Sequence, residues 1–281
     1  MSKKSVTFEY CDKMVQKFEE VIKKPILKKS SVYYTGVDLG TACVVVAVLD
    51  EDYKPVAGAY RYADVVRDGM VVDYIGAVNI VRELKEEIEK KLNTELIYAA
   101  AAIPPGTDSL DSGAIKNVVQ SAGFELTCLL DEPTAANALL KIENGAVVDI
   151  GGGTTGISVL KDGKVVSVID EPTGGTHFSL VISGAYKMPF KEADKFKRDN
   201  KNHKEILPVL KPVVEKVSSI INNHIKDYDV KEISLVGGTC CLKGIEKIIE
   251  KQTGVYTHKP KNPMFVTPLG IALSCTQDII E

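Results

Sequence analysis

Two short stretches concentrate the residues that could do chemistry. In one, Val37-Asp38-Leu39-Gly40 is followed by Thr41 and Ala42; in the other, Val148-Asp149-Ile150-Gly151 is followed by Gly152, Gly153 and Thr154. Each puts a carboxylate near the end of an apolar run and a turn of small residues after it. Glycine lets a backbone come close to a ligand and aim several N–H groups one way, so such turns bind anions. Gly151, Gly153 and Gly156 also satisfy the G-x-G-x-x-G spacing of dinucleotide sites. That fingerprint carries its meaning only where the glycines leave a strand and open a helix. Here Ile157 and Val159 continue as an extended run, Asp162-Gly163 supplies a tight turn, and Val165, Val166, Val168 and Ile169 follow. The pattern is strand, turn, strand. The expected element is a phosphate loop inside a β-hairpin, not a dinucleotide-binding helix.

The elements that must position these turns follow from periodicity. Strands are expected over 33–38, 43–49 and 54–61, then a helix with the stripe Val81, Leu84, Ile88 and Leu92 and the i,i+4 pairs Glu86/Lys90 and Glu87/Lys91. "LIYAAAAIPP" reads as a buried strand before a helix starting near Asp108, and "FELTCLL" as another before a helix starting near Glu132. Strands alternating with helices indicate an α/β fold. The acidic turn at Asp38 recurs at Asp149, 111 residues later (149 − 38), each time followed by a second extended run. A repeat that long marks a duplicated domain core, not a solenoid. Two such turns facing across a cleft would form a phosphate clamp.

At 281 residues the chain has room for two lobes, each with its own core. Residues 1–31 stand apart: they hold eight lysines, and Phe8, Cys11, Met14 or Val15, Phe18, Val21 and Ile22 fall at helical spacing before Pro25 and a linker at Lys28-Lys29-Ser30-Ser31. An amphipathic helix is expected there, folded back on the body or offered to a partner. The expected division is 1–31 as extension and linker, 32–144 as lobe I with a C-terminal helix 264–281 packing back on it, and 145–263 as lobe II. A net charge of −3 supplies no basic field for nucleic acid. The six cysteines form no C-x-x-C pair and read as reduced, structural thiols. No run of about 18 apolar residues suggests a membrane span, and the start of the chain lacks a secretory apolar core, so a cytoplasmic protein is expected.

"GVDLGTACV", "DEPTAANAL", "VVDIGGGTTGISV", "LVGGTCCLKGI" and "TPLGIAL" occur in an order and at separations that resemble the phosphate-one, connect-one, phosphate-two, adenosine and connect-two segments of the actin, DnaK-type chaperone and sugar-kinase superfamily. They span residues 33–275. Within it, "YADVVRDGMVVDYIGAV" and the compact size most resemble the EutJ family of ethanolamine-utilisation proteins, found with bacterial microcompartment genes. The resemblance implies two duplicated actin-like ATPase lobes of ribonuclease H-like type with a nucleotide cleft between them, and ATP with Mg²⁺ as cofactors.

Two carboxylates beside a polyphosphate would repel it unless Mg²⁺ lay between them, so Asp38 and Asp149 are the expected metal ligands and part of the catalytic set. Gly40, Thr41 and Ala42 on one side, and Gly151, Gly152, Gly153 and Thr154 on the other, would supply amides and hydroxyls to the phosphates. A third turn, Gly174-Gly175-Thr176-His177, resembles a phosphate-contacting loop, with His177 orienting. Glu132 would polarise the attacking water, by analogy with general-base groups that contribute roughly 10²- to 10⁴-fold. Asp194 and Lys197, one helical turn apart, match an acid and a lysine beside the ribose and adenine, and Gly237, Gly238 and Thr239 form a flat turn for the base. The second "DEPT", at 170–173, is read as coincidence. Ala135-Ala136 and Gly270-Ala272 are small residues at expected helix crossings, a hinge between lobes.

Two departures stand out. Gly156 occupies the place of a second acid in the DnaK-type pattern, and no counterpart of the chaperones' catalytic lysine is evident. Nucleotide binding with slow hydrolysis is therefore expected. The functions implied are, in order, an ATP-driven chaperone or assembly factor acting on ethanolamine-utilisation enzymes or the microcompartment shell, an actin-like filament former, and a small-molecule kinase. The last needs an acceptor pocket with a base aimed at its hydroxyl, and the region between the lobes carries no sequence signal for one.

Overall fold

A computed structural model describes residues 6–27, 29–67, 69–107 and 109–278, with side chains from residue 9 onward. The side chain of Phe8 in the N-terminal stripe, Lys28 of the linker, Asp108 as a helix start and the last three residues of 264–281 lie outside what is described. The chain divides into two units, Met1–Lys141 with Phe265–Glu281, and Ile142–Met264.

In the first unit β1 (Tyr34–Leu39), β2 (Cys43–Leu49) and β3 (Pro55–Tyr62) run antiparallel in sequence. β4 (Val66–Arg67) and β5 (Met70–Val71) form a small separate ribbon, and β6 (Tyr98–Ile103) and β7 (Glu125–Asp131) lie parallel to β1, giving the order β3-β2-β1-β6-β7. Runs such as Cys43-Val44-Val45-Val46-Ala47-Val48-Leu49 are buried along almost their whole length, as a sheet covered on both faces requires. One face packs on α2 (Tyr74–Leu92) and α3 (Ser109–Ser121) through Val81, Leu84, Ile88, Ile115 and Val118. The other meets α1 (Val6–Lys23), α4 (Glu132–Leu140) and α9 (Val266–Ser274).

Small residues set the second face. A Cβ on Gly36 would lie 2.5 Å from the Ala272 amide nitrogen, and one on Gly270 would lie 2.6 Å from the Ala135 carbonyl carbon. Thus β1, α9 and α4 stack backbone to backbone. The stripe Cys11, Met14, Val15, Phe18 and Val21 of α1 is buried. Phe18 fills the place of a side chain at Gly58 on β3, where a Cβ would lie 2.5 Å from its Cζ, and meets Phe265 edge-on at 5.2 Å.

The second unit repeats this topology. It comprises β8 (Gly145–Ile150), β9 (Thr155–Lys161), β10 (Lys164–Glu171), β11 (Glu232–Val236) and β12 (Tyr256–His258), in the order β10-β9-β8-β11-β12, with the same sequence of antiparallel and parallel pairs. The bounds of β8 are those of β1 displaced by the 111 residues of the repeat (145 − 34 and 150 − 39). Asp162 and Gly163 join β9 to β10 at φ of 51° and 73°, the left-handed pair that a two-residue hairpin turn demands. The glycines after Asp149 therefore lead into a strand, as the residues that follow them predicted, and not into the helix that their spacing alone would suggest. The core lies between this sheet and α5 (Gly175–Tyr186), α6 (Phe190–Arg198), α7 (His203–Ile225) and α8 (Ile245–Thr253), with Val148, Ile157, Phe178, Val214, Val217 and Ile221 at its centre.

Candidate functional site

The repeat places the two aspartates identically. Asp38 is fifth in β1 and pairs with Val45 across β2; Asp149 is fifth in β8 and pairs with Gly156 across β9. In the first unit Asp38 is half-buried, and Gly40, Thr41 and Ala42 form the bend to β2. A Cβ at Gly40 would lie 2.9 Å from the Cys43 carbonyl oxygen and 3.8 Å from Asp38 Oδ1. Glu132 is the first residue of α4, where the sequence put a helix start. The capping role there belongs to Asp131, whose Oδ1 accepts from the Thr134 amide at 2.9 Å ahead of Pro133. Glu132 is half-buried beside it.

In the second unit three glycine-bearing segments are tied at two carbonyls. The 151–154 turn closes through Gly151 N–H donating to the Thr154 carbonyl at 3.0 Å. The Gly151 carbonyl accepts from the Gly175 amide at 2.9 Å and from Thr239 Oγ1 at 2.7 Å, and the Gly152 carbonyl accepts from the Thr176 amide at 2.8 Å. A Cβ on Gly174 would lie 2.7 Å from the Gly153 carbonyl carbon, and one on Gly175 would lie 2.5 Å from Thr239 Oγ1. Gly237 holds φ 91° and ψ 159°, open in practice only to glycine, and a Cβ there would overlap the Asp149 carboxylate and lie 2.6 Å from the Ile150 carbonyl oxygen. Gly238 meets nothing within 4 Å. So Gly151, Gly152, Gly153, Thr154, Gly174, Gly175, Gly237 and Thr239 are brought together around the end of β8, next to the N-terminus of α5. The amides of Gly151, Gly174, Gly175, Thr176, His177 and Gly237 are spent on bonds within the unit, so the donors that the 151–154 turn could offer an anion are those of Gly152 and Gly153. His177 completes the α5 cap, its Nδ1 accepting from the Gly174 amide at 3.4 Å.

Asp194 and Lys197 pair at 3.1 Å on α6, as their spacing predicts. Lys197 Nζ also donates to the Gly175 carbonyl at 2.7 Å and Ser179 Oγ at 2.8 Å, so it supports the third loop from behind. Burial alone would raise the Asp194 carboxyl, but Lys197 and Arg198 outweigh it and hold it below its ordinary value. Burial lowers the Lys197 ammonium against the pull of Asp194. Ser179 is fully buried and carries no motif, so local pattern had no means of exposing its part in this network.

Among the described residues no group of three or more His, Cys, Asp or Glu could hold a metal by itself. Mg²⁺ does not require one: it takes one or two carboxylates and completes its shell with water and phosphate oxygens. Asp149, 5% exposed and packed beside side-chain-free Gly237, suits an ion brought in with an anion.

A family model for the type IV pilus assembly protein PilM matches residues 135–265, and one for MreB/Mbl matches residues 58–191. The crystal structure of MreB5 of Spiroplasma citri bound to ADP superposes with a TM-score of 0.68 at 18% identity, covering 85% of this chain and 95% of that one. These likenesses establish the duplicated actin-like ATPase fold. The crystal structure of ethanolamine utilization protein EutJ from Carboxydothermus hydrogenoformans superposes with a TM-score of 0.90 at 47% identity, over 96% of this chain and 99% of that one. Ethanolamine utilization protein EutJ of Salmonella typhimurium is 45% identical over 242 residues, 86% of this chain and 85% of the relative. Near-complete coverage at such identity leaves one conclusion: the chain belongs to the EutJ family of ethanolamine utilization proteins.

Proposed function

We propose that this chain binds Mg-ATP, hydrolyses it slowly, and uses the nucleotide cycle as a chaperone or assembly factor for ethanolamine-utilisation enzymes or the microcompartment shell, in the cytoplasm. The observation that carries the nucleotide reading is the convergence of the 151–154, 174–175 and 237–239 segments on the carbonyls of Gly151 and Gly152. The Gly152 and Gly153 amides, with Thr154, would hold the phosphates on the loop that Gly174, Gly175 and Gly237 shape, with Gly40, Thr41 and Ala42 as the corresponding turn of the first unit. Asp149 and Asp38 would face the Mg²⁺, which supplies charge neutralisation for the phosphates. Glu132 would orient water, and Asp194, Lys197 and the 237–239 turn would border the nucleoside.

Gly156, the register partner of Asp149, stands where the DnaK-type pattern has a second acid, which favours binding that persists with slow turnover. The same fold in MreB5 of Spiroplasma citri was crystallised with ADP and with AMPPNP. Membership of a family of ethanolamine utilization proteins supports the choice of clients. A filament former remains the competing function, and ATP-dependent sedimentation separates the two. Calorimetric titration with Mg-ATP tests the site. Wild type should bind and Asp149→Ala should not; equal affinity in both would overturn the assignment.

A further inference from the structure

The groups assigned to the nucleoside lie on separate elements: Asp194 and Lys197 on α6, and Gly237–Thr239 on the turn after β11. One side chain joins them. His203, the first residue of α7, is 3% exposed. Its Nδ1 accepts from the amide of Lys243, 3.2 Å away on the segment that continues from that turn, and its Nε2 lies 2.9 Å from the carbonyl of Lys197. An amide can only donate and a carbonyl can only accept. Both bonds are therefore satisfied together by one state alone, the neutral ring with its proton on Nε2. Burial favours that state by lowering the His203 pKa from its ordinary value.

The bond also serves α6 itself, because Lys197 is the penultimate residue of the helix and its carbonyl has no partner further along it. The turn is braced from its other side by Lys259, whose Nζ donates to the carbonyls of Cys240 at 2.8 Å and Leu242 at 2.7 Å and pairs with Glu246 at 2.9 Å. Lys259 holds the turn's own shape, whereas His203 sets its distance from α6. The phosphate loops are joined to each other independently of both, through the Gly175 and Thr176 amides.

We propose that His203 is a positioning residue for the nucleoside end of the site: its neutral, Nε2-protonated ring fixes the spacing between α6 and the Gly237–Thr239 turn and so sets affinity for the base and ribose, while phosphate affinity is set elsewhere. This rests on the nucleotide reading above. The full chain is titrated calorimetrically with Mg-ATP and, separately, with Mg-tripolyphosphate. His203→Ala should weaken Mg-ATP about tenfold, the scale of one or two buried hydrogen bonds, and change Mg-tripolyphosphate less than twofold. His203→Gln, whose amide group can donate to one partner and accept from the other, should recover most of the loss.

Wild type that binds neither ligand would refute the nucleotide reading, and this proposal with it. Wild type that binds both, with His203→Ala unchanged or equally impaired for the two, would overturn the positioning role alone. Should His203→Ala not fold, the ring nitrogens of wild type decide by ¹⁵N NMR at neutral pH. A single Nε2–H tautomer sustains the proposal, and a proton on Nδ1 or a charged ring overturns it.

Discussion

Adjacent glycines in the 237–239 turn should respond to the same substitution in opposite ways. Gly237 occupies φ 91° and ψ 159°, a region costing a side-chain-bearing residue of order 1–3 kcal/mol. Its Cβ would overlap the Asp149 carboxylate and come within 2.6 Å of the Ile150 carbonyl oxygen, so backbone or carboxylate must move and add to that cost. Gly237→Ala should therefore destabilise by about 2–4 kcal/mol, the upper range for single substitutions. For a unit the size of Ile142–Met264, roughly 4 °C of Tm accompanies each kcal/mol, giving a fall of about 8–16 °C. Gly238 is exposed, has no atom within 4 Å of its notional Cβ and lies in a turn of 3₁₀ helix. Gly238→Ala should leave Tm unchanged or raise it slightly by restricting the unfolded chain, about 0.4–1 kcal/mol. Differential scanning calorimetry of the two variants, with and without Mg-ATP, reads both effects. If Gly237→Ala melts within about 2 °C of wild type, or if the two variants fall together, the close approach of this turn to Asp149 is not the constraint described.

Three further perturbations test the fold and its ionisable groups. Phe18 is fully buried over Gly58, and Phe18→Ala should cost about 3–5 kcal/mol in urea unfolding; a loss under about 1 kcal/mol would mean α1 is no part of the first core. Burial holds His258 down to about 4, and Glu232, 3.7 Å away, is itself raised by burial and offers little compensation. The folded state then takes up its proton later than the unfolded chain, so stability present above pH 6.5 is lost as pH falls towards 4, by about 2 kcal/mol at pH 5; a His258→Gln variant with an equally steep loss would assign it elsewhere. Cys11 is fully buried with its thiol pushed up to about 12, so iodoacetamide at pH 8 should modify it only after unfolding, and labelling of the native protein at a free-thiol rate would contradict that burial.

What the sequence disclosed and what it withheld divide along the range of the interactions. The β9–β10 hairpin was legible because Asp162-Gly163 specifies its turn within two residues, and the α1 stripe because Cys11, Met14, Phe18 and Val21 recur at helical spacing. The Asp194–Lys197 pair was legible for the same reason. That Lys197 also caps the Gly175 carbonyl, 22 residues away, was not. Nor was His203, whose two partners lie six and 40 residues along the chain and are backbone groups that any residue presents. Ser179, His203 and Lys259 bear no local signature because their roles come from the meeting of α5, α6, α7 and the 3₁₀ turn, which only the folded unit defines.

The duplication is complete in topology and unequal in chemistry, and the inequality can be followed through the register. Asp38 and Asp149 occupy the same rung, but their partners across the hairpin are Val45 and Gly156. On the next strand out, Gly58 opposes Ala47 where Val168 opposes Ser158, and Tyr60 opposes Val45 where Asp170 opposes Gly156. In the first unit glycine at that outer position admits Phe18 and lets α1 close the surface. In the second, valine stands there 39% exposed. The glycines of the second unit are instead gathered in the loops, where the missing side chains at Gly174, Gly175 and Gly237 let three segments touch through their backbones. One copy of the fold has thus used its side-chain-free positions to pack helices on a sheet, and the other to bring main-chain amides and a buried carboxylate to one end of β8. A preorganised anion site requires the second arrangement, which is why loss of Asp149, and not simply loss of a surface charge, is expected to abolish binding.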